Sequence, residues 1–76
     1  MKTYHQRMRE IREDHDLTQE QVAGILKISQ RAYSSYETGN RKLPIDLLIV
    51  LATHYGVSAD YMLGLTDNSA PYPRSQ

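Results

Sequence analysis

LTQEQVAGILKISQRAYSSYETGNRKLP, Leu17 to Pro44, contains two helix starts with almost no chain between them. Thr18 can accept from the exposed amides at a helix N-terminus, Gln21 completes a capping box, and Leu17 against Val22 supplies the hydrophobic staple. Ser29 repeats the signal, with Ile28 and Tyr33 as its staple. The first helix of the pair is therefore only about two turns long. The second runs from Ser29 to Thr38, and Gly39 stands where a left-handed C-terminal residue belongs. A short helix, a turn of about three residues and a second capped helix make a helix-turn-helix unit, whose second helix can offer its N-terminal end to a DNA major groove. Ala23 supplies the small side chain that so close a crossing needs, with Val22, Ile28, Tyr33 and Tyr36 filling the space beneath.

Helical spacing continues on both sides of this unit. Tyr4, Met8, Ile11 and His15 lie on one face of a first helix that should end near Asp14 to Asp16. Pro44 opens a fourth helix, apolar almost all round through Ile45, Leu47, Leu48, Ile49, Val50, Leu51, Ala52 and Tyr55, which should be the central buried one. Gly56 stops it, Ser58 caps a short fifth helix with Val57 and Met62 as staple, and Gly64 ends that. The expected architecture is all-α, a compact five-helix domain over residues 1–65, with residues 66–76 as a tail. No alternating strand pattern is present.

The formal net charge is zero, yet residues 27–42 hold Lys27, Arg31, Arg41 and Lys42 against Glu37 alone. Between residues 43 and 73 there is no basic residue, only Asp46, Asp60 and Asp67. On the third helix Tyr33, Tyr36 and Glu37 face one side; Arg31, Ser34, Ser35 and Thr38 face the other, with Gln30 flanking them. Arg and Gln make bidentate contacts to guanine and adenine edges, and small Ser side chains let a helix enter a groove without collision. A basic middle and an acidic C-terminal third indicate one face for an anion and another for a different partner.

Other classes are poorly served. The chain has no Cys, so neither a disulfide framework nor a thiolate metal site is available, and it fits a reducing cytoplasm. His5, His15 and His54 are too dispersed for a metal site, and no phosphate-binding glycine loop or nucleophile elbow occurs. No apolar run is long enough to cross a membrane and no signal peptide opens the chain. An enzyme is not expected.

Taken jointly, Leu17-Thr18-Gln19 with Val22-Ala23, Ile28-Ser29-Gln30 and Tyr36 through Arg41 resemble the phage repressor and Cro type of helix-turn-helix, the xenobiotic-response-element family, over roughly Tyr4 to Leu65. The resemblance implies a lambda-repressor-like five-helix fold, no cofactor, and sequence-specific binding of a double-stranded DNA operator by a transcriptional regulator, commonly a repressor and usually a homodimer. It puts Gln19 at a phosphate, Gln30, Arg31 and Ser35 near base edges beside Ser34, and the Asn40-Arg41-Lys42 loop on the DNA backbone. It also implies an ion pair between Arg12 and Glu37 beneath the DNA-binding unit. Two residues depart from the pattern. Lys27 occupies a turn position often held by Gly, so either it takes a left-handed conformation at a cost of about 1 kcal/mol or the turn differs. Tyr33 replaces a branched aliphatic, with its ring inward and its hydroxyl toward a phosphate or water.

The C-terminal third offers a surface for pairing through Tyr55, Val57, Tyr61, Met62 and Leu65, since Tyr and Met are enriched at interfaces. The competing assignment is an antitoxin or protein-interaction module on the same fold, with that third contacting a toxin or anti-regulator.

Overall fold

The computed structural model describes residues 2–71, of which five helices form the framework: α1 Tyr4–Asp14, α2 Gln19–Leu26, α3 Gln30–Thr38, α4 Ile45–Tyr55 and α5 Ala59–Met62. No strand occurs among the described residues. The caps carry the boundaries. Thr18 and Gln21 exchange hydrogen bonds at 2.8 and 3.1 Å, and the Ser29 and Ser58 hydroxyls accept from Ala32 and Tyr61 amides at 3.0 and 3.1 Å. A second capping box, Thr3 with Gln6, starts α1. Its sequence signature, Thr-x-x-Gln, matches that at Thr18, although no hydrophobic residue precedes it to form a staple.

Between α2 and α3 lie only Lys27, Ile28 and Ser29. Lys27 does adopt the left-handed conformation, φ 58° and ψ 41°, so the tight turn is made at the expense of local strain. In return its amide and that of Ile28 satisfy carbonyls at the end of α2. Ala23, 2% exposed, lets the two helices approach.

The core draws on every helix: Met8 and Ile11, Val22 and Leu26, Tyr33, Leu51 and Tyr55, and Met62. Each such side chain contributes about 1.5–3 kcal/mol on leaving water. One expectation is revised. α4 is not buried all round, because Ile45, Ile49 and Val50 are 73%, 56% and 42% exposed: four short neighbours cannot surround it, and the core takes only its Leu51, Ala52 and Tyr55 side. Within the segment read as a tail, residues 66–71 make contacts with the domain. Asp67 accepts from Arg7 at 3.1 Å, and the Ser69 carbonyl accepts from the Ser58 amide at 3.2 Å, so residues 66–71 fold back along the domain. Residues 72–76 lie outside the described part.

Arg7, unremarkable in the sequence, is 2% exposed and lies 3.9 Å over the Tyr61 ring. It ties α1 to α5 and to the Asp67 segment.

Candidate nucleic-acid interface

α3 takes its orientation from the ion pair at its far end. Arg12 reaches from α1 and donates through Nε and Nη2 to the two Glu37 carboxylate oxygens, each at 2.9 Å, while its Nη1 donates to the Leu17 carbonyl at 2.8 Å. Both side chains are largely removed from water, at 13% and 4% exposure. Planar two-point pairing of this kind fixes geometry as well as charge. Burial alone would push the Glu37 carboxyl up, but hydrogen bonds from Arg12 and Tyr33 outweigh it and hold the group below the usual carboxylate range. The Arg12 guanidinium is correspondingly raised, chiefly by the same hydrogen bond. Gln19, at the start of α2, donates to Glu37 at 3.4 Å, so one carboxylate joins α1, α2 and α3.

Tyr33 is fully buried, which revises the expectation for its hydroxyl: it faces Glu37 inside the domain and cannot reach a phosphate or solvent. Burial, then the hydrogen bond to Glu37, raises its pKa well above the ordinary tyrosine range. Tyr55, buried beside the same pair, is pushed up to about 12, mainly by desolvation.

On the outer side of α3 a shallow groove of about 470 Å³ is lined by Gln19, Gln30, Arg31, Ser34, Ser35, Thr38 and Asn40. Six of the eight residues singled out from the sequence therefore meet in one concavity. Ser35 and Thr38 hydroxyls donate back to helix carbonyls at Arg31 and Ser34, leaving their oxygens as acceptors outward. Arg41 and Lys42 are exposed but stand outside the groove; Lys42 borders a different cavity, because the chain turns at Gly39 and the Arg41 amide returns to the Ser35 carbonyl at 3.1 Å.

The charges sort sharply. Lys2 pairs with Glu10, Arg7 with Asp67, Arg9 with Glu13 and Arg12 with Glu37. Among the described residues Lys27, Arg31, Arg41 and Lys42 form no ion pair, and all four are exposed.

The helix-turn-helix family model matches residues 8–62, the whole of this arrangement from the middle of α1 to the end of α5. The chain belongs to the helix-turn-helix family. It is 47% identical over 68 residues to the uncharacterized HTH-type transcriptional regulator YobD of Bacillus subtilis, covering 90% of this chain and 61% of that protein. It is 38% identical over 58 residues to the HTH-type transcriptional regulator ImmR of the same organism, 76% of this chain and 46% of that one. A crystal structure of a transcriptional regulator from Listeria innocua superposes with a TM-score of 0.79 at 28% identity, covering 84% of this chain and 60% of the other. The chain thus spans about half to three fifths of the length of these three proteins.

The surface assigned to pairing needs correction. Tyr55 and Met62 are 8% and 0% exposed and serve the core, so they present nothing to a second copy. Val57 and Tyr61 are half-buried, and Leu65 is 61% exposed. The helical register alone did not reveal that the larger apolar exposure is on α4, at Ile45, Ile49 and Val50.

Proposed function

We propose that the domain is a sequence-specific double-stranded DNA-binding module of a cytoplasmic transcriptional regulator, a repressor that binds and does not catalyse. The observation that carries this is the sorting of cations among the described residues: four are neutralised within the fold, and the four that form no ion pair there are exposed on and around α3. An exposed basic set flanking a polar concavity matches a polyanion whose charge is uniform along its backbone and whose sequence is read inside a groove. In this reading α3 enters the major groove, Gln30 and Arg31 meet base edges, and Ser34 and Ser35 allow close approach. Gln19 and Asn40 at the groove margin, and Arg41 and Lys42 beyond it, hold phosphates.

One domain gives few phosphate contacts, a small footprint against a genome of competing sites, and a two-fold pair enlarges it. The exposed Ile45, Ile49 and Val50 side of α4, with Leu65, supplies the apolar surface for such a homodimer.

Selection of bound sites from a randomised duplex pool, followed by titration over a range of salt, tests the assignment. Arg31→Ala should cost roughly 1–3 kcal/mol on the selected site and flatten preference at one base pair, whereas Lys42→Ala should weaken all sequences alike and lower the salt slope by about one. Equal effects of both variants on selected and random DNA would show that α3 is not the reading element.

A further inference from the structure

A second concavity lies behind the loop that follows α3. It measures about 410 Å³ and is bounded by Tyr4 and His5 of α1, Gly39, Lys42 and Leu43 of the loop, Ile45 and Leu48 of α4, and Leu63 after α5. That volume falls within the range of small-molecule sites, and apolar walls with few polar groups are their usual composition. The polar groups on the walls are mostly committed elsewhere. The Tyr4 hydroxyl accepts from the Leu43 amide at 3.3 Å, and His5 Nδ1 donates to the Tyr36 carbonyl at 2.8 Å. The Tyr4 and His5 rings pack together, with centroids 3.9 Å apart. What is left over is one cation: Lys42 has no acidic partner among the described residues, and no carboxylate borders the cavity.

We infer that this cavity binds a small amphipathic monocarboxylate, its apolar body against Tyr4, Leu43, Leu48 and Leu63 and its carboxylate on Lys42. A neutral apolar ligand would leave the ammonium unused, and an organic cation would be repelled by it. A strongly polar anion such as phosphate would gain nothing from the walls. The cavity shares Gly39, Lys42 and Leu43 with the segment that joins α3 to α4. Resting on the DNA-binding reading above, occupancy draws the Lys42 charge inward and weakens the grip on the DNA backbone, so the carboxylate acts as a releasing effector.

Octanoate is the probe, added to DNA-free protein while thermal midpoint and amide NMR shifts are followed. The expected result is a saturable rise in midpoint, with shift changes concentrated at Tyr4, His5, Leu43 and Leu63. Affinity should fall about threefold to fourfold for each methylene removed from the chain. Lys42→Ala, at an exposed and unpaired position, should melt as the parent does yet bind octanoate at least fivefold more weakly, and octylamine should not bind. Absence of saturation, equal binding by Lys42→Ala, or binding of octylamine as tight as octanoate overturns the site. Octanoate should also raise the Kd for the selected duplex at fixed ionic strength; an unchanged Kd in protein that binds octanoate overturns the effector role. A protein that binds octanoate and no DNA would refute the DNA-binding reading and leave the cavity assignment standing.

Discussion

Replacing Glu37 by Ala should be among the most damaging single changes to this domain. The carboxylate receives two hydrogen bonds of 2.9 Å from Arg12, one of 3.4 Å from Gln19 and one from the Tyr33 hydroxyl, with its side chain 4% exposed. Removing one member of a buried pair costs about 3–5 kcal/mol because the other is left desolvated and uncompensated. Arg12 remains 13% exposed and keeps the Leu17 carbonyl at 2.8 Å, which places the expected loss at the lower end, about 3 kcal/mol. For a domain of this size that is a fall in melting temperature of about 12–24 °C. Glu37→Gln keeps the shape and one acceptor and should lose less, and Arg12→Met combined with Glu37→Leu should recover part of the loss, since no stranded charge remains. The pH dependence has a fixed sign. The Glu37 carboxyl lies below its ordinary value in the folded protein, so the unfolded chain binds more protons and stability rises with pH. Its contribution is present above the unfolded value of about 4.3 and is lost as pH falls through the lower folded value. Thermal melts by circular dichroism between pH 2 and 7 measure both effects. A fall of less than about 4 °C for Glu37→Ala at neutral pH, about 1 kcal/mol or less, together with an unchanged acid limb, would refute the buried-pair reasoning.

Lys27→Gly should stabilise the domain by up to about 0.5 kcal/mol, the relief of about 1 kcal/mol for the left-handed conformation at φ 58° less about 0.5–1 kcal/mol for the greater chain entropy of glycine, and chemical denaturation should show the midpoint moving slightly upward. Gly64→Ala should destabilise it by more than the conformational cost alone, because the added Cβ would sit 2.3 Å from the Lys2 carbonyl oxygen. Gly56→Ala is the matched control, with φ +68° and no atom within 4 Å of the new Cβ; equal melting temperatures for the two variants would show that the N-terminal segment yields freely. Ile49→Asp, on the exposed side of α4, should abolish self-association in sedimentation experiments without lowering the melting temperature of the monomer, whereas an unaltered dimer would place pairing on another face.

Features that depend on residues three or four apart were legible in the chain. The Thr18–Gln21 box and the Ser29 and Ser58 caps join a side chain to an amide three residues on, and the patterns that announce them are the interactions themselves. The tight turn followed from two such caps, and with it the meeting of Gln19 with Gln30 and Ser35 in one groove. Direction after the turn at Gly39 was not legible. Asn40 lines the groove and Lys42 a second cavity, although two positions separate them.

What escaped the sequence depends on partners distant along the chain or on how many neighbours a surface receives. An arginine at position 7 reads as solvated, but it is buried against Tyr61 and paired with Asp67, 60 positions along the chain. The apolar content of α4 says that something must be covered, but which side the core takes is decided by the packing of four other helices; Tyr55 and Met62 are spent there, and Ile45 and Ile49 are left outside. Charge shows the same limit most clearly. Counting places four cations in residues 27–42, but Lys2, Arg7, Arg9 and Arg12 are equally numerous in the first helix and its approach. The two sets differ in partners, since Glu10, Asp67, Glu13 and Glu37 neutralise the second set within the fold and nothing among the described residues neutralises the first. An unpaired exposed cation retains its full attraction for an external anion, whereas a paired one must first give up its carboxylate, so the three-dimensional pairing distinguishes a binding face from a solvated surface.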